Sequence, residues 1–261
     1  MMPVIRKPAV AGTFYPADPE ILRAEIHHYL GEARSEAPAP KAIIVPHAGY
    51  IYSGPVAASA YARLAAARDA IRRVVLLGPS HRVGFRGLAT ASAEFFRTPL
   101  GDIPVDTAAT QALLAFPQVR ELDQAHELEH SLEVQLPFLQ EMLGRFTLVP
   151  LVVGDADPDE VAQVLEAVWG GPETLVVISS DLSHYHDYQT ARTMDEATSR
   201  AIESLSLEAL HYENACGRTP LQGLLHLARK HGFHIETVDL RNSGDTAGPR
   251  DRVVGYGAYV L

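Results

Sequence analysis

The sequence predicts an α/β protein, one sheet carrying helices on both faces, with residues 1–261 forming a single domain. Three observations predict it. Short runs rich in Val, Ile and Leu recur at 42–45, 74–77, 146–153 and 175–178, each closed by Gly, Pro or Ser, the mark of buried strands. Stretches with helical apolar spacing and cap residues lie between them, and strands alternating with helices imply a sheet covered on two sides. No internal repeat and no convincing linker divides the chain.

Taken in order, Lys7–Pro16 is too rich in Pro and Gly for a regular element. Asp18 and Pro19 supply a cap and a first helical residue, followed by the stripe Ile21, Leu22, Ile26, Tyr29 and Leu30. Glu32–Pro40 reads as a surface loop before the strand Ala42–Val45. Gly54-Pro55 precedes an alanine-rich helix expected over Val56–Ala67. After the strand Val74–Leu77 come candidate strands Leu88–Ala91 and Ile103–Val105, then a helix over Thr107–Leu114. Phe146–Val153 is a strand, Asp157-Pro158 opens a helix over Asp159–Trp169, and Leu175–Ile178 is the next strand. Helices are expected from about Tyr188 to Leu205 and from Thr219-Pro220 onward, while Ile235–Leu240 and Val253–Leu261 close the sheet.

Composition narrows the function classes. At 47% hydrophobic and 21% charged, the chain matches a soluble globular protein with ample core. A formal charge of −10 argues against a broad electrostatic footprint for nucleic acid or an anionic membrane, while leaving room for a local basic pocket. No apolar stretch approaches bilayer length, and Met1–Pro16 lacks the apolar core of a secretory signal, so the expected location is cytoplasmic. The single cysteine, Cys216, excludes an internal disulfide.

Chemistry gathers at strand ends. Three strands run straight into a histidine segment: Pro46-His47-Ala48-Gly49-Tyr50, Gly78-Pro79-Ser80-His81, and Ser179-Ser180-Asp181-Leu182-Ser183-His184. Ligands of open α/β sheets bind beyond the carboxyl ends of the strands, so these groups are expected to converge. His47 and His81, on consecutive strands, read as shared metal ligands, against the plainer reading of turn hydrogen bonds. Asp181 is either a ligand, the orienter of a histidine, or the cap of a turn. His184 is the candidate acid/base group, and nearby His186 is assigned a structural role. Cys216 precedes a helix and stands two residues before Arg218, a setting expected to favour thiolate, either as soft metal ligand or as a nucleophile paired with histidine. His126-Glu127-Leu128-Glu129-His130 matches the zinc-peptidase pattern, but no third ligand follows at the spacing those enzymes use, which disfavours that reading. His130 itself is kept as a residue near the crevice.

Taken together, these motifs resemble the MEMO family, known in prokaryotes as the B component of the AmmeMemoRadiSam system. The resemblance runs through Pro8–Pro16, Pro46–Gly54, Leu77–His81, Glu129–Pro137, Ser179–His184, Cys216–Arg218, Asn242–Asp245 and Val254–Tyr256, covering essentially the whole chain. It implies the fold of class III non-haem-iron extradiol dioxygenases, whose iron sits between two histidines and a carboxylate. It further implies that His47, His81 and Cys216 line the corresponding site, cysteine replacing the carboxylate, with Asp181 and His184 beside them. Tyr50, Tyr52 and His130 are then expected as wall residues of the substrate pocket. The cofactor expected is iron or copper, with zinc as an alternative occupant of a purified sample. The expected partners are a small-molecule substrate or a peptide, together with radical-SAM and AMMECR-type proteins. Relatives are linked both to metal-dependent redox chemistry and to non-enzymatic binding of phosphotyrosine peptides. The two expectations are therefore an oxidoreductase of dioxygenase type and a binding module using the same crevice.

Overall fold

The structure, a computed structural model, describes residues 3–33 and 37–261. The loop expected over Glu32–Pro40 includes residues 34–36, which lie outside the described residues. The strands are β1 (Ile5–Arg6), β2 (Ala42–Val45), β3 (Arg73–Pro79), β4 (Leu88–Thr90), β5 (Phe95–Thr98) and β6 (Gly101–Pro104). They continue with β7 (Val119–Glu121), β8 (Thr147–Val153), β9 (Thr174–Ser179), β10 (His184–His186), β11 (Glu236–Asn242) and β12 (Val253–Val260). The helices are α1 (Pro19–Glu32), α2 (Tyr50–Tyr61), α3 (Thr107–Leu113), α4 (Asp123–Glu127), α5 (Leu136–Leu143), α6 (Pro158–Val168), α7 (Tyr188–Glu203), α8 (Arg218–His231) and α9 (Ser243–Thr246).

The main sheet runs β10-β12-β2-β9-β3-β8-β4-β7, with β11 on β12; β1, β5 and β6 form a smaller sheet. Its centre, β2-β9-β3-β8, is parallel. Alternate residues of these strands enter opposite cores. Ile43, Val45, Val74, Leu76, Leu175 and Val177 join a core that includes side chains of α1, α2 and α5. Ile44, Val75, Leu77, Val149, Leu151, Val176 and Ile178 join one that includes side chains of α6, α7 and α8. Burial of each such side chain contributes ~1.5–3 kcal/mol, so both strand faces are committed. The predicted two-faced α/β sheet is the observed architecture.

Helix starts follow their caps. Asp18 accepts from the backbone N–H groups of Glu20 and Ile21 and starts α1. Asp187 does the same for α7 through Gln189 and Thr190. One start was misplaced. The helix expected from Val56 begins at Tyr50, with Pro55 inside it, and residues 62–67 continue it as a 3-10 turn. Its first turn is held without a side-chain cap: Tyr50 N donates to Phe14 O (2.7 Å), and Tyr52 and Ser53 N donate to Gly49 O. Pro55 then removes only one helical N–H. The short strands β1, β5, β7 and β10 were not expected; they carry no apolar run and exist through pairing with neighbours.

Candidate metal centre

Strands β2, β9 and β3 are adjacent, with β9 in the middle. Two residues beyond each carboxyl end stand His47, Asp181 and His81. The parallel arrangement therefore delivers three polar groups to one rim, as their strand-end placement predicts.

His47 is buried, and its Nδ1 lies 2.8 Å from Ser179 Oγ. The surrounding bonds decide its tautomer. Gln135 Nε2 donates to Pro46 O (2.8 Å) and to Ser179 Oγ (2.9 Å), while Gln135 Oε1 accepts from Tyr61 Oη (2.9 Å). The single hydroxyl proton of Ser179 goes to Ser131 O at 2.6 Å. Ser179 Oγ thus has only acceptor capacity left, so His47 Nδ1 carries the proton and Nε2 presents its lone pair. That Nε2 lies 3.3 Å from Cys216 Sγ. The backbone of His47 is pinned as well, its N–H donating to Asp181 Oδ1 at 2.7 Å.

His81 is held differently. Buried Glu129 accepts from His81 N (2.6 Å), His81 Nδ1 (2.8 Å), His130 N (2.9 Å) and Ser131 N (2.9 Å). Burial opposes ionisation of Glu129, but the His81 bonds and charge and the backbone donors outweigh it and hold the carboxyl down to about 2. An ionised Glu129 fixes the proton on His81 Nδ1 and frees Nε2.

Cys216 reaches the rim from the loop before α8. Its N–H donates to Asp181 O, and Asp181 N donates to its sulfur at 3.3 Å. Gly217 allows this approach: a Cβ there would lie 2.6 Å from Ser179 O and 2.6 Å from Ser180 Cβ. The expectation of a low thiol pKa is overturned. Burial pushes the Cys216 thiol up, the Asp181 charge adds to it, and burial pushes His47 well below the usual imidazole range. Arg218 is outside the cavity lining. A neutral thiol beside a neutral imidazole is the opposite of the ion pair a cysteine–histidine hydrolase needs.

Ligand atoms of His47, His81 and Cys216 lie within 4.8 Å of one another. Donors bonded to one ion through imidazole nitrogen at ~2.0–2.1 Å and thiolate sulfur at ~2.3 Å are at most ~4.4 Å apart, so small side-chain shifts would close the set around an ion. Two oriented imidazoles and one sulfur fit a transition metal.

The rim opens into a cavity of about 820 Å³ lined by Phe14, Tyr52, Arg82, His130, Asp181, His184, His186 and Arg252, among others. His130 stacks on His81 (centroids 4.6 Å apart) and meets His47 edge-on at 5.4 Å. Phe14 covers His130 at 4.8 Å. It is carried there by a segment tied to buried Glu133, which accepts from Arg6, from the N–H groups of Ala9 and Val10, and from Tyr15 Oη. His184 lies on β10 beside Tyr185, whose φ of 63° marks the irregular turn in that strand. His186, expected to be structural, also lines the cavity.

Two expectations need correction, and one pattern already disfavoured is resolved. Tyr50 is not among the cavity-lining residues: placed on the inner face of α2, it is fully buried and its hydroxyl donates to Val134 O at 2.8 Å. Among the described residues no hydrogen bond joins Asp181 to His184; the carboxylate holds the His47 backbone instead. The zinc-peptidase pattern is dispersed. α4 ends at Glu127, His126 Nε2 donates to Ala89 O at 2.9 Å, and His130 turns into the cavity. Sequence reasoning missed Glu129, Ser179 and Gln135 as supports. All three lie in stretches that carry the family resemblance, but nothing in those stretches marks them as supports, and for Glu129 the signal was masked by the peptidase motif that contains it.

A family profile described as "Memo-like protein" matches residues 6–260. A MEMO1 family protein of Aquifex aeolicus is 38% identical over 263 residues, covering 97% of each chain. One from Methanosarcina acetivorans is 36% identical and covers 98% of this chain and 99% of its own. Among solved structures, the crystal structure of uncharacterized protein JW3007 from Escherichia coli K12 aligns with a TM-score of 0.51 over 84% of this chain and 99% of that one. At 13% identity that likeness concerns the fold alone. The chain belongs to the Memo-like family.

Proposed function

From that membership we propose that the protein binds a redox-active iron or copper ion through His47, His81 and Cys216, and acts as an oxidoreductase on a small molecule or peptide entering the cavity. The observation that carries this reading is the orientation of the donors. Both imidazoles have Nδ1–H fixed to an acceptor, which leaves two Nε2 lone pairs, and Cys216 Sγ stands 3.3 Å from that of His47. Imidazole and thiolate together suit iron, copper and zinc, so zinc is the expected contaminant of a purified sample. When bound, such an ion supplies Lewis acidity and, for iron or copper, electron transfer.

The chain's own residues have separate tasks. Ser179 and Glu129 hold the imidazole tautomers, and Asp181 holds the His47 backbone. His184, on the cavity wall, accepts or returns a proton at its ring. Phe14 and Tyr52 exclude water from one side, while Arg82 and Arg252 offer charge to an anionic group.

Elemental analysis and spectroscopy of anaerobically purified protein test the reading. Stoichiometric iron or copper is expected in wild type, and its loss in Cys216→Ser, His47→Ala and His81→Ala. A wild type that is metal-free and also refuses added Fe(II) and Cu(I) sinks it. The second reading, a binding module, is favoured by the outer wall, where exposed Tyr185 and Tyr212 stand with Arg82 and Arg252. Tight peptide binding unaffected by metal removal would select it.

A further inference from the structure

A second cavity, of about 400 Å³, shares no lining residue with the first. One wall is the face of α7 that carries Tyr188, Arg192, Asp195 and Glu196, spaced as helical neighbours. The other is the end of β11, Leu240–Asn242, with Asp245 of α9. Most charges here are already matched. Arg192 pairs with Glu196 at 3.0 Å, and Arg241 pairs with Asp239. Asp245 accepts from Tyr188 Oη at 2.6 Å and from Asn242 N at 3.0 Å, with Arg250 at 4.0 Å.

Asp195 is the exception. It is 2% exposed, and no Lys, Arg or His among the described residues stands within ion-pair distance of it. Its Oδ1 accepts from Ser183 N at 3.0 Å, and the Ser183 hydroxyl and the more distant His186 ring add some support. Burial still dominates and pushes the carboxyl up to about 6, the mark of a buried charge short of a partner. Gly255 makes room for it, since a Cβ there would stand 2.0 Å from Asp195 Oδ2. Gly255 pairs with Asn242 across the β11–β12 ladder, so the carboxylate rests on the sheet at the edge of the cavity.

We propose that this cavity binds a small primary amine in its ammonium form, anchored by the Asp195 carboxylate. The site goes beyond the metal reading and does not depend on it. One unmatched negative charge calls for one positive charge. With one carboxylate oxygen already engaged by Ser183 N, a compact ammonium fits better than the planar fork of a guanidinium, which takes both oxygens. A single unengaged carboxylate also falls short of the oxygen-rich set that a calcium ion takes. Leu240 and Tyr188 offer apolar contact to a short alkyl chain, and the volume falls within the ~300–1,000 Å³ of small-molecule sites. The anchor also touches the loop that serves the first cavity. Ser183 lies between Asp181, which holds the His47 backbone, and His184 on the cavity wall, so its amide reports on whatever binds Asp195.

The test is titration of the whole chain, labelled with ¹⁵N, with n-butylammonium chloride at pH 7, followed by amide NMR. Saturable shifts of the Ser183 and Asp195 amides are expected, with n-butanol and matched NaCl leaving both in place. Asp195→Asn, whose side-chain oxygen can still accept from Ser183 N, should weaken binding ~10–100-fold, the worth of a hydrogen bond to a charged group. Cys216→Ser should bind as wild type does. Should the asparagine form not fold, wild type alone decides. Its affinity should be about tenfold weaker at pH 5 than at pH 7 as Asp195 protonates. The other titratable groups around that carboxylate are Arg192 and Glu196 of α7, His186 of β10 and Tyr259 of β12. No saturable shift, or an equal response to butanol or NaCl, overturns the site. Undiminished binding by Asp195→Asn, or affinity that ignores pH, does the same.

Discussion

His47 and His81 end neighbouring parts of the same sheet, yet the groups behind their rings are opposite in kind. His47 leans on a chain of neutral groups, Tyr61 to Gln135 to Ser179 to Ser131 O. His81 leans on an ionised carboxylate gripped by three backbone N–H groups. The difference follows the donors available to each support. His47 is 1% exposed, deep between two cores, where an uncompensated charge would be expensive. Glu129 is equally buried at 1% exposed, but its carboxylate is compensated by three backbone N–H groups as well as by the His81 ring. One sheet edge thus produces the same tautomer by two electrostatic routes.

Removing the charged support has the largest expected effect. Glu129→Ala orphans three backbone donors and the His81 ring, and should lower unfolding stability by ~3–5 kcal/mol, read from the urea midpoint. A midpoint close to wild type would show that the carboxylate does not hold the 129–131 turn. Glu129→Gln sharpens the comparison instead, giving His81 a neutral support like that of His47. Metal affinity should fall ~10–100-fold while the fold survives.

The neutral route breaks at Ser179→Ala. His47 Nδ1 then loses its acceptor, and a fall of ~10–100-fold in metal affinity is expected by competition with a chromophoric chelator. Equal affinity in wild type and variant would mean that packing alone orients the ring.

Titration separates charged support from charged burden. Glu129 is held to about 2 against an ordinary 4.5, so the folded form binds fewer protons than the unfolded one in that window. Its contribution is present above about pH 4.5 and is lost as pH falls toward 2. Asp195, buried and accepting from Ser183 N at 3.0 Å, is pushed from 3.8 up to about 6 by burial. Here the sign reverses: stability is greatest below about pH 4 and declines as pH rises through 6. Melting of Asp195→Asn should therefore lack a decline between pH 4 and 6 that wild type shows, while Glu129→Gln should lose part of the acid-side destabilisation.

The smallest effect belongs to Tyr61→Phe, at the far end of the neutral chain. It deletes one hydrogen bond to Gln135, at ~1 kcal/mol, with metal affinity within about twofold of wild type. A tenfold loss would show that the chain transmits orientation over its whole length.

Much of this site was legible because strand ends concentrate chemistry. The apolar runs before His47, His81 and Asp181 placed those residues on one rim before any coordinate was known. Cys216 was legible only as a candidate, since its loop follows no strand, and local charge pointed the wrong way on its pKa. Arg218 and the helix start are sequence neighbours, whereas burial and Asp181 are spatial ones. The supports were hidden for the same reason. Gln135 and Ser179 are 44 residues apart, in two separate stretches of the family resemblance, and nothing but the folded sheet brings them together. Tyr50 was misplaced because a proline was taken as the helix start, when the turn at Gly49 already provided one.

The placement of β9 between β2 and β3 has a kinetic consequence. As the chain emerges during synthesis, the strands bearing His47 and His81 appear first, but in the finished sheet they are not neighbours. They reach their final spacing only when β9 inserts between them. Cys216 arrives later still, 169 residues after the histidine it faces. Long-range parallel pairing of this kind is slow, because loop closure precedes any gain from contacts. A nascent chain therefore displays two histidines without their cradle or their sulfur, and the proposed ion would have no completed seat until nearly the whole protein has been made. On that proposal, metal capture would be a late event, a seal on a finished fold.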